Sequence, residues 1–160
     1  MKNRITTFLT FAGRAEEAVA FYTSIFDNSK VLSTTDYGEA GPGEPGSLMS
    51  ASFELDGQEF YALNGGPSFT FSQGISLFVD CETQDEVDRY WEKLSEGGEP
   101  GPCGWLTDRF GVSWQVVPKV LPEYLRADDR EAAKRALDAM LKMTKLDVAT
   151  LREAYEGVPA

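Results

Sequence analysis

Histidine, the side chain that most often serves as general base or metal ligand near neutral pH, does not occur in this chain. Any chemistry must come from other groups. Cys81 and Cys103 would act as nucleophiles only where a cation or a helix start stabilised the thiolate, and no imidazole exists to serve as their base. Asp108-Arg109 joins a carboxylate base to an anion anchor. The pair opens a tight turn before Gly111, however, where turn chemistry with an exposed ion pair is the simpler expectation. Glu54, Asp56 and Glu59 flank a hairpin turn and read as a solvated turn rather than a metal site. Arg4 and Arg14, ahead of the first strand and first helix, are isolated cations of the kind that surfaces solvate.

Composition narrows the partners. With 26 acidic and 15 basic residues the net charge is -11 and the pI near 4.4. Such a surface repels nucleic acid and anionic membranes, leaving small molecules and proteins. At 160 residues and 42% hydrophobic content the chain can build the core of one ordinary domain without disulfides or metal. Two cysteines are too few for a disulfide scaffold and suit free thiols in a reducing cytosol. Met1-Lys2-Asn3-Arg4 leads into a short alternating segment, not an apolar signal core, and no run approaches the roughly 18 to 20 residues of a membrane span. The expected location is cytoplasmic.

The elements that must position these residues follow from periodicity. Residues 5–11, rich in Thr and Phe, suit a strand, and Gly13 breaks the pattern. Ala15, Ala18, Val19, Tyr22 and Phe26 then share a helical face, with Asp27-Asn28 as a stop. A strand is expected over 31–37, and the segment 38–47, with four glycines and two prolines, reads as a mobile loop able to cover a pocket. Met49, Ala51, Phe53 and Leu55 alternate with polar residues, and Asp56-Gly57 turns the chain into 58–64 as a hairpin.

The order then restarts. An apolar strand over 75–79 precedes a helix opened by the capping box Thr83-Gln84-Asp85-Glu86, with Val87, Tyr90, Trp91 and Leu94 on one face and Gly97-Gly98 after it. Strands over 105–108 and 112–117 follow, closed by Pro118. A shift of 69 positions sets Phe21-Tyr22 over Tyr90-Trp91, Ala18 over Val87 and Phe8 over Leu77. Beyond Pro118 two amphipathic helices are expected. One carries Ala133, Ala136, Leu137, Met140, Leu141 and Thr144, with Asp128 and Glu131 as its cap. The other carries Val148, Leu151 and Tyr155, capped by Asp147. The fold class is α+β, two βαβββ modules (about 1–66 and 73–118) forming a curved mixed sheet within a domain 1–118, with a helical extension over 119–160.

Phe8-Leu9-Thr10-Phe11, Ala15-Glu16-Glu17-Ala18 with Phe21-Tyr22, and Asp85-Glu86-Val87-Asp88 with Tyr90-Trp91 together resemble the PhnB-like branch of the glyoxalase/bleomycin-resistance (vicinal oxygen chelate) superfamily. The run from Cys103 through Trp105, Arg109-Phe110-Gly111 and Trp114-Gln115 to Pro118 is similar to that branch's strongest signature. The resemblance extends to the tail around Met140-Leu141 and Leu151. Such proteins are often labelled 3-demethylubiquinone 3-methyltransferase-like. A methyltransferase of the common kind needs a glycine-rich strand-to-helix turn in a parallel sheet, which this sequence lacks.

In the wider superfamily a divalent metal held by His and Glu usually acts as Lewis acid. The resemblance places those ligand positions near Thr6 or Thr7, at Asn64, at Gly74 or Ile75, and at Gln115, none of which is His, Asp or Glu. No metal and no cofactor are therefore expected. The cavity implied by the resemblance retains Thr7, Asn64 and Gln115 as polar groups and Tyr61, Phe78, Trp105 and Trp114 as aromatic walls. Gln115 is the sharpest candidate, because an inward strand amide must find partners and a ligand would supply them. The expected function is binding of a small, partly apolar molecule in a homodimer. The competing readings are an enzyme of the same superfamily with an unconventional metal site or none, and a regulatory subunit acting through its C-terminal helices.

Overall fold

The computed structural model describes residues 3–158. One compact unit ends at Thr70 and a second begins at Phe71. In the first, β1 (Thr7–Phe11), α1 (Ala15–Ile25), β2 (Lys30–Asp36), β3 (Leu48–Leu55) and β4 (Gln58–Asn64) form a sheet of order β1-β4-β3-β2. Only the β1–β4 pair is parallel. The second unit repeats this plan with β5 (Ser76–Cys81), α2 (Gln84–Ser95), β6 (Glu99–Pro100), β7 (Trp105–Thr107) and β8 (Ser113–Pro118), in the order β5-β8-β7-β6. Both βαβββ modules expected from the pattern are present, and the second is completed by β6, a strand too short to leave a periodic signal of its own.

Alternation divides each sheet into a face that packs on its helix and a face that does not. In the first unit Leu9, Phe11, Ala51, Phe53, Phe60 and Ala62 are buried on the same side of the sheet as the α1 residues Ala18, Val19, Tyr22 and Ile25. Phe53 and Phe60 stack with centroids 5.6 Å apart. In the second unit Val79, Cys81, Leu106, Trp114 and Val116 are buried with Val87 and Leu94 of α2.

This corrects the internal alignment. The helices repeat at 69 positions, since Ala18 and Ile25 match Val87 and Leu94, but the strands repeat at 70, since Leu9 matches Val79. The counterpart of exposed Phe8 is exposed Phe78 and not Leu77, which is paired with buried Trp114. A slip of one residue in a strand exchanges its faces, and the second strand-to-helix connection is one residue shorter.

Residues 38–47, expected to form a mobile loop, are tied down through Tyr37, the expected end of the preceding strand. Tyr37 is buried, and its backbone pairs with Ser47 and Gly46. Its hydroxyl donates to the Asn64 carbonyl at 2.6 Å. Gly43 lies so close to the Tyr37 ring that a Cβ there would overlap it. The loop is organised around the aromatic residue that precedes it.

After Pro118 the two expected helices are present as α4 (Arg130–Met140) and α5 (Val148–Glu156), and a short helix α3 (Val120–Arg126) precedes them. The signal for α3 is masked by Pro122, which sits in the first turn where its missing N–H would have no intrahelical partner. The cap of α4 is Asp129, which accepts from Ala132 N, in place of the expected Asp128. The helix stops at Met140, so Thr144 lies outside it, and Leu141 is exposed.

The tail belongs to the second unit and is mounted on it at several points. Cys103 N and Gly104 N donate to Met143 O and Thr144 O, both at 2.8 Å. Gln84 accepts from Val148 N at 2.7 Å and donates to Leu146 O at 3.2 Å. Leu146 and Leu151 are fully buried with Val117 and Leu121. Gly104, at positive φ, leaves room where a Cβ would come within 2.9 Å of Leu146 and of the Val116 carbonyl.

Two expectations follow for urea unfolding. Phe53→Ala, at a fully buried site, should cost about 3–5 kcal/mol, and Trp91→Ala, at a half-buried one, clearly less. Acid should weaken the tail clamp. The Thr150 amide and hydroxyl lower the pKa of Asp147, and the Lys145 ammonium with the Gln84 amide lowers that of Asp88. Folded-state values below the unfolded ones mean stabilisation present above the ordinary carboxylate range and lost as pH falls through the lowered values. The unfolding midpoint should therefore drop on acidification below about pH 4, and Asp147→Ala should flatten that dependence. An identical pH profile for the variant would contradict this.

Candidate functional site

The seven residues expected around a cavity separate according to strand face. Thr7 and Asn64 lie on the helix side of the first sheet, in register with Phe60 and Phe11. Asn64 is held at both ends of its amide. Its Oδ1 accepts from Ala15 N at 2.7 Å, and its Nδ2 donates to Leu48 O at 2.9 Å. The residue before α1, Arg14, makes no capping bond, so Asn64 supplies from β4 the acceptor that a helix start requires. Tyr61 is on the opposite, open face, with its ring 5.9 Å from that of Phe8. Arg14 itself pairs with Glu17 at 2.7 Å.

In the second sheet Trp114 faces α2 and is buried, and its indole N–H donates to Asp108 Oδ2 at 2.8 Å. Asp108 is also buried, and its Oδ1 accepts from Phe110 N at 2.8 Å and Val112 N at 3.0 Å. The expected turn chemistry is present, but as a buried carboxylate with three donors. Arg109 bonds instead to the Glu96 carbonyl at 3.1 Å and approaches its carboxylate at 3.6 Å. Asp108 is thus a structural anchor.

Phe78, Trp105 and Gln115 are brought together on the open face. The register sets Phe78 and Trp105 on either side of Gln115. Gln115 Nε2 donates to Ser76 Oγ at 2.9 Å, which fixes one end of the amide and leaves Oε1 as an acceptor. Beside it, Ser113 Oγ is buried without a hydrogen-bond partner among the described residues. A cavity of about 520 Å³ lies against this face. Phe78, Trp105 and Gln115 line one side, and Leu121 and Leu125 of α3 with Met140 of α4 line another. Its size falls in the range of about 300–1,000 Å³ usual for small-molecule sites. The helical wall escaped sequence reasoning because Pro122 obscured α3. The one available signal was the spacing of Leu121, Leu125 and Met140.

Cys103 lines the cavity and is half-buried. Cys81 lies on the helix face, where burial, with Glu86 and Asp80 nearby, pushes its thiol up to about 12. It is an unreactive core residue at neutral pH.

The positions where the superfamily resemblance expects metal ligands do not fit a divalent ion. Asn64 is consumed by backbone partners, Thr7 lies on the helix side, and Gln115 offers one neutral amide oxygen. Among the described residues no three His, Cys, Asp or Glu side chains cluster. No described helix is long and apolar enough to cross a membrane.

A model of the family described as 3-demethylubiquinone-9 3-methyltransferase matches residues 3–117. A Bacillus cereus PhnB protein is 43% identical with a TM-score of 0.66, the match covering 72% of this chain and 99% of that one. The Pseudomonas aeruginosa protein PA1353 shares 22% identity with a TM-score of 0.61, over 73% and 98% of the two chains. The fosfomycin resistance protein FosX of Listeria monocytogenes shares 18% with a TM-score of 0.58, over 79% and 99%. The last two show the fold alone. No curated protein matches the chain. The family match ends at Val117, short of the tail residues Met140, Leu141 and Leu151 to which the sequence resemblance extended.

Asp108→Ala would strand three donors in the core and should cost at least about 3 kcal/mol in urea unfolding. A loss below about 1 kcal/mol would show that water replaces the carboxylate.

Proposed function

This chain belongs to the 3-demethylubiquinone-9 3-methyltransferase family, PhnB-like members of the glyoxalase/bleomycin-resistance superfamily, and from that membership we propose that it binds a small, partly apolar molecule without transferring a methyl group. The observation that carries this reading is the cavity on the open face of the second sheet. Its aromatic and aliphatic walls surround one anchored amide, the composition of a small-molecule site. Among the residues assigned to binding, Phe78, Trp105 and Gln115 line it. Thr7 and Trp114 lie on the helix sides of their sheets, Asn64 borders a separate cavity beside the start of α1, and Tyr61 belongs to the open face of the first sheet.

Methyl transfer from a nucleotide cofactor uses a glycine-rich strand-to-helix turn at the edge of a parallel sheet. Here each sheet has a single parallel pair, and the β1–α1 connection contains only Gly13. The family's descriptive label therefore does not carry an activity over to this chain.

A homodimer in the cytosol completes the reading. The edge strand β2 is exposed at all seven residues, and Phe8, Val31 and Leu32 expose apolar surface on the same unit. Two free cysteines suit a reducing compartment.

Native mass spectrometry of tag-free protein tests the proposal. The expected result is a dimer carrying a small organic mass. Gln115→Leu should lose that mass while its unfolding free energy changes by less than about 1 kcal/mol. Retention of a stoichiometric divalent metal by the wild-type chain would instead favour an enzyme.

A further inference from the structure

The cavity has a wall that the family match does not include. Leu121, Leu125, Arg126 and Met140 all follow Val117, where the match ends. The match to the Bacillus cereus relative covers 99% of that chain and 72% of this one. That tail is part of the second unit. Its backbone pairs with Cys103 and Gly104, and its Leu146 and Leu151 are buried in a cluster with Val117 and Leu121. The wall is therefore mounted on the sheet it faces.

Two charged residues line the cavity, Asp80 and Arg126. Asp80 lies in the field of the Lys119 ammonium. Arg126, in the last turn of α3, makes no hydrogen bond or ion pair among the described residues. Arg126 is exposed at the edge of the cavity, where its guanidinium can meet an entering group. A guanidinium presents a planar fork that receives carboxylate, sulfonate or phosphate oxygens in pairs.

From this geometry we infer that the C-terminal extension converts the open face of the second sheet into a site for a ring-containing organic anion. Its apolar body lies between Phe78 and Trp105 on the sheet and Leu121, Leu125 and Met140 on the helices. Its anionic group meets Arg126, and Gln115 Oε1 accepts a hydrogen bond from the ring's polar substituent. This rests on the binding reading above and adds the charge of the ligand and the origin of its specificity.

The test uses two fluorescent probes of one shape on the full chain, the anionic anilinonaphthalene sulfonate and the neutral N-phenylnaphthylamine. Wild-type protein should bind both. Arg126→Gln should weaken the sulfonate about tenfold, the loss of one charge-assisted contact, and leave the neutral probe unchanged. Leu125→Trp should fill the cavity and abolish both, with folding confirmed by its unfolding transition. Met140→Trp fills the same space from the other helix should the first variant fail to fold. If the tryptophan variants block both probes but Arg126→Gln changes neither, the anion assignment is overturned and the binding reading stands. If wild-type protein binds neither probe, or a folded tryptophan variant binds both unchanged, the cavity is not the site and both readings fall.

Discussion

A sheet has two faces, and each repeat of this chain supplies one helix with which to cover them. Everything else in the molecule follows from that shortage. Where α1 or α2 packs, the strands bury Leu, Val, Phe and Ala at alternate positions; the intervening residues must find another cover or meet solvent. Neighbours in β8 show the division at single-residue resolution. Trp114 points to α2 and is locked by Asp108, whereas Gln115 points the other way and is presented to a cavity. Register alone decides which of the two is framework and which is available for binding.

The second unit covers part of its remaining face with its own C-terminal tail. The anchoring is mainly apolar and backbone-based. Full burial of Leu146 and Leu151 is worth about 1.5–3 kcal/mol each, whereas an exposed ion pair such as Lys145–Asp88 contributes about 0–1 kcal/mol. The Gln84 side chain, bonded on both sides of the loop entering α5, sets where that helix begins. A wall held this way is preorganised, so a ligand entering beneath it need not pay to order it.

Much of this was legible in the sequence because the two periodicities are strong. Alternation in β3 and β4 gave the hairpin, the Thr83 and Glu86 pair gave the start of α2, and Asp147 gave the start of α5. What stayed hidden was two-faced or long-range. The repeat can be aligned on helices or on strands, and the two answers differ by one residue, which exchanges Phe78 for Leu77 on the open face. Asn64 looks like an unengaged amide until Ala15 N and Leu48 O are seen to bind it. No local pattern announces that a strand end will cap a helix 49 residues earlier. The wall of the cavity was hidden for a simpler reason, a proline in the first turn of a short helix.

The two repeats also differ in how their helices are capped. In the first unit Arg14 cannot cap α1, so the last residue of β4 must, and the polar group at that strand end is committed to structure. In the second unit α2 carries its own cap, with Thr83 Oγ1 accepting from Glu86 N and Glu86 reaching back to Glu82 N. The residue equivalent to Asn64, paired with Cys81 as Asn64 is paired with Phe11, is Pro118. Relieved of capping, that strand end leads directly into α3, fixed by the bond from Lys119 N to Cys81 O. With a local cap on α2, the neighbouring strand end has no capping duty, and there the chain continues into α3.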